Sequence, residues 1–94
     1  MYPAVYEDLA VVVDESVPAV QVRDLIVQAG GALLRAVELF DVYRGEQIGA
    51  GKKSLAYALT YQADDRTLDA KAATKIRTKI VSRLERELGA ALRA

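Results

Sequence analysis

Between residues 52 and 62 large and small side chains alternate without a break. Leu55, Tyr57, Leu59 and Tyr61 take one parity; Ser54, Ala56, Ala58 and Thr60 take the other. A period of two belongs to a strand with two unlike faces, because successive side chains point to opposite sides of a sheet. The bulky set fits a core and needs a covering layer. The small set is left outside, where it makes a shallow, flat floor on which a planar group can lie. A chain built around this strand is held to a sheet with one covered face and one open face.

Residues 37–45 alternate as well. Read as unbroken, Val37, Leu39, Asp41 and Tyr43 share one side, and Glu38, Phe40, Val42 and Arg44 share the other. Asp41 and Tyr43 then stand two residues apart on one sheet surface. An aromatic ring offers a stacking platform, and a carboxylate accepts hydrogen bonds from base amino and imino groups. The bland alternative for such a pair is solvated surface.

The remaining segments fall into order around these two. Residues 5–13 form a first strand rich in β-branched residues, with Leu9, Val11 and Val13 on one side and Asp8, Ala10 and Val12 on the other. Ser16 is the expected N-cap of a first helix with Pro18 in its opening turn. Val22, Leu25, Ile26 and Ala29 make its apolar stripe, and Gly30-Gly31 stops it. The second strand, 33–44, is long enough to expect a bulge or kink. A glycine-bearing connection follows at 45–51. Its end, Gly51-Lys52-Lys53-Ser54, is not a phosphate-cradling loop, which requires a strand before it and a helix after it.

After a charged turn, Asp69 is placed to cap a long second helix that runs to Leu88, with Ala73, Ile76, Ile80, Leu84 and Leu88 facing inward. Lys71, Lys75, Lys79 and Arg86 share an outer face that reads as solubilising surface. Gly89 ends this helix, and residues 90–93 form a last strand. The order strand–helix–strand–strand–helix–strand predicts an α+β fold: the ferredoxin-like βαββαβ sandwich, a four-stranded antiparallel sheet with two helices on one face. RNA-recognition motifs of this general topology stack bases on the face left open.

Composition narrows the chemistry. Residues 1–94 make one domain. The chain has no Cys and no His, which removes disulfides, thiolate metal sites and the commonest general base. Thirteen basic residues balance thirteen acidic ones, so attraction to phosphates through bulk charge is not the main source of binding. No apolar run approaches the roughly 20 residues that cross a bilayer. The abrupt start, a strand-like segment directly after Met1, reads as a module cut from a larger polypeptide.

Four motifs now fall into register: Tyr2-Pro3-Ala4-Val5 with Asp8-Leu9-Ala10; Glu38-Leu39-Phe40-Asp41-Val42-Tyr43-Arg44-Gly45; Gly51-Lys52-Lys53-Ser54-Leu55-Ala56; and Asp65-Arg66-Thr67-Leu68. Together they resemble the ferredoxin-fold anticodon-binding domain at the C-terminal end of the bacterial phenylalanyl-tRNA synthetase β subunit, over essentially the whole chain. The resemblance implies a module that holds the anticodon stem-loop of tRNA(Phe) on its open sheet face. It implies no catalysis and no cofactor in this domain. ATP and magnesium would be used elsewhere in the parent ligase, whose catalytic site lies in another subunit. The implied partners are the RNA, the rest of the β subunit and the α subunit of a heterotetramer, in the cytoplasm and away from membranes.

The positions matching the family's anticodon contacts are Ala10, Asp41, Tyr43, Ser54 and Arg93. Glu7 departs from the pattern, standing where the family commonly has Arg. Ala58 and Gln62 stand where a basic residue is frequent, and Asp69-Ala70-Lys71-Ala72 replaces a more acidic helix start. Two other classes compete. A ferredoxin-like regulatory or dimerising module lacks a positive motif. An acylphosphatase-like hydrolase needs an Asn to orient water, and the chain has none.

Overall fold

The central strand and its neighbours carry the architecture. The computed structural model describes residues 2–93. In it β1 (Val5–Asp14), α1 (Ala19–Gly30), β2 (Leu34–Tyr43), β3 (Lys52–Tyr61), α2 (Ala70–Leu88) and β4 (Ala91–Leu92) follow the expected order, with a 3-10 turn at Glu46–Ile48. The strands make one sheet in the order β2-β3-β1-β4, every neighbouring pair antiparallel. This is the ferredoxin-like α+β fold. Among the described residues no helix is long and apolar enough to cross a membrane.

The bulky parity of β3 lies against the helices as its pattern requires. Leu55, Tyr57, Leu59 and Tyr61 join Leu9, Val11 and Val13 of β1, Val22, Leu25 and Ile26 of α1, and Ala73, Ile80 and Leu84 of α2 in one buried cluster. Removing each large apolar side chain from water contributes about 1.5–3 kcal/mol. Two buried phenols find partners. The Tyr57 hydroxyl donates to the Ala19 carbonyl at 2.8 Å, tying β3 to the first turn of α1. The Tyr61 hydroxyl donates to the Glu7 carboxylate at 2.9 Å. Burial pushes the Tyr57 phenol up to about 12. Burial raises Tyr61 as well, and the Glu7 carboxylate that accepts its proton adds to the shift.

Glu7 therefore does not stand beside the open face. It pairs in register with Leu59, on the helix side, and faces Arg77 at 3.9 Å. Arg77 also donates to the Asp8 carbonyl at 3.0 Å. An internal pair between β1 and α2 is made here with the acid on the strand.

The ends of α2 are as expected. The Asp69 carboxylate accepts from the Ala72 N–H at 2.8 Å, and Gly89 closes the helix in the left-handed conformation at φ 64°. The start of α1 differs. Pro18, not Ser16, occupies the cap position, and no side chain caps the helix. The Val17 N–H donates to the Asp14 carbonyl at 3.0 Å and the Glu15 N–H to Gly51 at 2.8 Å. The chain turns before the helix begins, and Ser16 falls two positions short of the cap.

The second strand carries two irregularities, at Arg35 and at Phe40, where its length led one to expect a bulge or kink, and the one at Phe40 changes the facing of residues 37–43. Val37, Glu38 and Leu39 pair with Leu59, Ala58 and Tyr57; Phe40 is skipped; Asp41 then pairs with Ala56. One extra residue inverts the parity beyond it. Val37 and Leu39 therefore do not share a side with Asp41 and Tyr43. They share one with Val42, whereas Glu38, Asp41 and Tyr43 face the open side. The last strand is shorter than residues 90–93: only Ala91 and Leu92 pair with β1, although the Arg93 N–H still donates to the Ala10 carbonyl at 2.8 Å.

Candidate nucleic-acid interface

All five candidate positions lie on the open face, in two adjacent rows of the sheet. One row crosses every strand: Asp41 on β2 pairs with Ala56 on β3, Ala56 with Ala10 on β1, and the Ala10 carbonyl holds the Arg93 amide beyond β4. The next row runs Tyr43, Ser54, Val12 and Ala91. Methyl groups make the floor of the first row, and its ends carry a carboxylate and a guanidinium. Neighbouring strands are about 4.8 Å apart, so this floor has the dimensions of a nucleobase.

Tyr43 and Arg93 start from opposite edges of the sheet and meet over its middle. The guanidinium carbon of Arg93 lies 4.8 Å from the centroid of the Tyr43 ring, over its face. Their side chains thus arch above β1 and β3. Ser54, in the row below this arch, is only 2% exposed. No helix covers it, but it is not an open floor residue as its small-residue pattern suggested. Asp41 is exposed, while Ala10 and Tyr43 are half-buried.

An ion-pair cluster stiffens the loop end of this face. Arg44 holds the Glu15 carboxylate with two hydrogen bonds, the Nη2–Oε2 one at 3.1 Å. Lys53 approaches the same carboxylate at 3.5 Å, and Lys52 bonds Asp14 at 2.5 Å. The Arg44 hydrogen bond holds the Glu15 carboxyl below its ordinary range. These contacts tie the turn after β1 to both arms of the β2–β3 connection, immediately beside Tyr43.

Sequence reasoning passed over two residues of this face. Glu38 pairs with Ala58, whose other neighbour is Asp8. Tyr6 pairs with Thr60 and is 76% exposed. Tyr6 was legible, since it shares the parity of Asp8 and Ala10. Glu38 was not, because the bulge at Phe40 brings it to the open side. Among the described residues the paired strands and Arg93 therefore give this face four carboxylates, Asp8, Asp14, Glu38 and Asp41, against two cations, Lys52 and Arg93. Such a surface suits the donor groups of base edges better than phosphates.

Comparison with known proteins bears on this geometry. The family described as the ferredoxin-fold anticodon binding domain matches residues 1–93. The chain is similar to phenylalanine–tRNA ligase β subunits: 49% identical over 92 residues to that of Corynebacterium efficiens, 50% over 93 residues to that of Corynebacterium diphtheriae, and 51% over 92 residues to that of Moorella thermoacetica. These matches cover 98–99% of the chain but 11–12% of each relative.

Proposed function

Because the chain belongs to the ferredoxin-fold anticodon binding domain family, we propose that it is the anticodon stem-loop-binding module of a phenylalanine–tRNA ligase β subunit. It recognises the anticodon of tRNA(Phe) on its open sheet face. It spans about a ninth of its relatives' length, and we place it at the C-terminal end of a larger chain. Aminoacylation, with its ATP and magnesium, belongs to another subunit of the cytoplasmic heterotetramer, and this module uses no cofactor of its own.

The observation that supports this reading best is the gathering of Ala10, Asp41 and Arg93 in one register row and of Tyr43 and Ser54 in the next. Tyr43 offers its ring to a base. Asp41 accepts from the donor edge of a guanine. Ala10 and Ala56 let the base plane approach the sheet, Ser54 supplies a hydroxyl once the arch above it opens, and Arg93 turns from the ring to the base or a phosphate. Stacking and edge recognition are how single-stranded loops are read.

The test is a titration of the 15N-labelled domain with the tRNA(Phe) anticodon stem-loop, beside an unrelated stem-loop of equal length. Amide shifts in residues 8–12, 39–44 and 54–60, with the cognate loop bound more tightly, are expected. Shifts confined to the helices, or equal affinity for both loops, would refute the reading.

A further inference from the structure

Tyr43 does not extend freely over the sheet. Its hydroxyl donates to the side-chain carbonyl Oε1 of Gln47 in the 3-10 turn, and its ring lies back across Gly45. A Cβ at position 45 would sit 2.8 Å from the Tyr43 Cζ and 3.1 Å from its Cε2, and closer still to the hydroxyl. The backbone of Gly45 is extended, at φ 176°, a conformation any residue adopts. What excludes a side chain there is the aromatic ring, not backbone strain. Gly49 and Gly51 are different: both have positive φ and serve the turn itself.

We infer that Gly45 and Gln47 are positioning residues of the RNA site: together they fix the pose in which Tyr43 receives a base. This rests on the stem-loop-binding reading and deepens it. A tyrosine on a strand ordinarily samples several staggered χ1 positions. Here one pose is selected by a hydroxyl anchor at the ring's far end and by a missing side chain beneath it. The anchor itself is held. Gln47 lies in a short turn, Glu46–Ile48, whose flanking residues Arg44, Lys52 and Lys53 are pinned to Glu15 and Asp14. The ion-pair cluster at the loop end of the face thus gains a role. It keeps the turn at a fixed height beside the sheet edge, so that the phenol finds its acceptor without a search. Ordering of the platform is paid before the ligand arrives, which is the general source of affinity through preorganisation.

The experiment uses the 94-residue domain and the tRNA(Phe) stem-loop. In the free protein, nuclear Overhauser contacts are expected between the Tyr43 ring protons and the Gly45 Hα protons. They should disappear in Gly45→Ala. Gln47→Leu should weaken stem-loop binding about fivefold, the usual net worth of one hydrogen bond. Gly45→Ala should weaken it by roughly tenfold, within the scale of a lost stacked base. Urea midpoints separate either effect from unfolding. In a Tyr43→Phe background, which has no hydroxyl to hold, Gln47→Leu should have no further effect on binding, a coupling that general destabilisation would not produce. If Tyr43→Ala weakens binding but Gly45→Ala and Gln47→Leu bind like the wild type, this inference fails and the stem-loop-binding reading stands. If the wild type does not bind the stem-loop, both fall.

Discussion

The Arg93 guanidinium lies over the Tyr43 ring, 4.8 Å from its centroid, although the two residues leave the sheet from its opposite edges. Such a contact at an exposed site contributes about 0.5–1 kcal/mol. It places a cation over the ring that we propose as the stacking platform. Arg93→Ala should therefore act in two ways. It frees the ring and removes a charge that can meet a phosphate. The second effect dominates a charged ligand, so affinity for the stem-loop should fall. The slope of log affinity against log salt should become shallower by about 0.7–0.9, the contribution of one neutralised phosphate. Binding measured at several salt concentrations checks this; an unchanged slope would show that Arg93 meets no phosphate.

Tyr43→Ala should weaken cognate stem-loop binding by about 1–3 kcal/mol, the scale of a stacked base, with little change in stability because the ring is not part of the buried cluster. Calorimetric titration of both proteins with the same RNA measures it. Equal binding by the two across unrelated loops would remove Tyr43 from the site.

The helix layer offers a contrast in magnitude. Leu84 is fully buried between α2 and the sheet, and Leu84→Ala should cost about 2–5 kcal/mol through lost burial and the cavity left behind. Tyr61→Phe removes only the hydroxyl that donates to Glu7. Glu7 keeps Arg77 as a neighbour, so the cost should be about 1 kcal/mol. Urea unfolding at neutral pH ranks the two.

Alkaline pH should unfold the domain through its buried phenols. Tyr57 is raised by burial from 10.0 to about 12, and Tyr61 is raised further. Between pH 10 and 12 the unfolded chain releases these protons while the folded chain keeps them. The unfolded state then binds fewer protons, so stability is complete below pH 10 and is lost as pH rises above it. Absorbance at the phenolate band should show Tyr57 and Tyr61 ionising only with unfolding. In Tyr57→Phe the urea midpoint should fall less steeply above pH 10 than in the wild type; identical pH profiles would contradict this account.

The strand pattern was readable wherever pairing is regular. The side assignments on β1 and β3 hold from end to end, because their mutual register runs without a skip from Val5–Tyr61 to Asp14–Lys52. The long helix was readable from its inward stripe, its Asp69 cap and its Gly89 stop, all local signals. What was hidden depends on neighbours distant in sequence. The skip at Phe40 is a property of the β2–β3 ladder, and it carries Glu38 to the open face and Leu39 away from it. Ser54 is 2% exposed in the register row of Tyr43, whose ring meets a residue 50 positions on, Arg93. The setting of Glu7 was hidden because its partners, Tyr61 and Arg77, come from β3 and α2. The missing cap at Ser16 reflects a hydrogen bond from Glu15 to Gly51, across the loops.

β4 joins the sheet through two paired residues and one further amide bond, from Arg93 to Ala10, whereas the other three strands are ten residues long. Among the described strands β4 is thus the one held by the shortest ladder. Unlatching those few bonds swings the guanidinium aside while the apolar layer underneath stays shut. On the stem-loop-binding function proposed above, ligand exchange would proceed on the timescale of local fraying rather than that of global unfolding, and the module would release one RNA and take up the next without risking its fold.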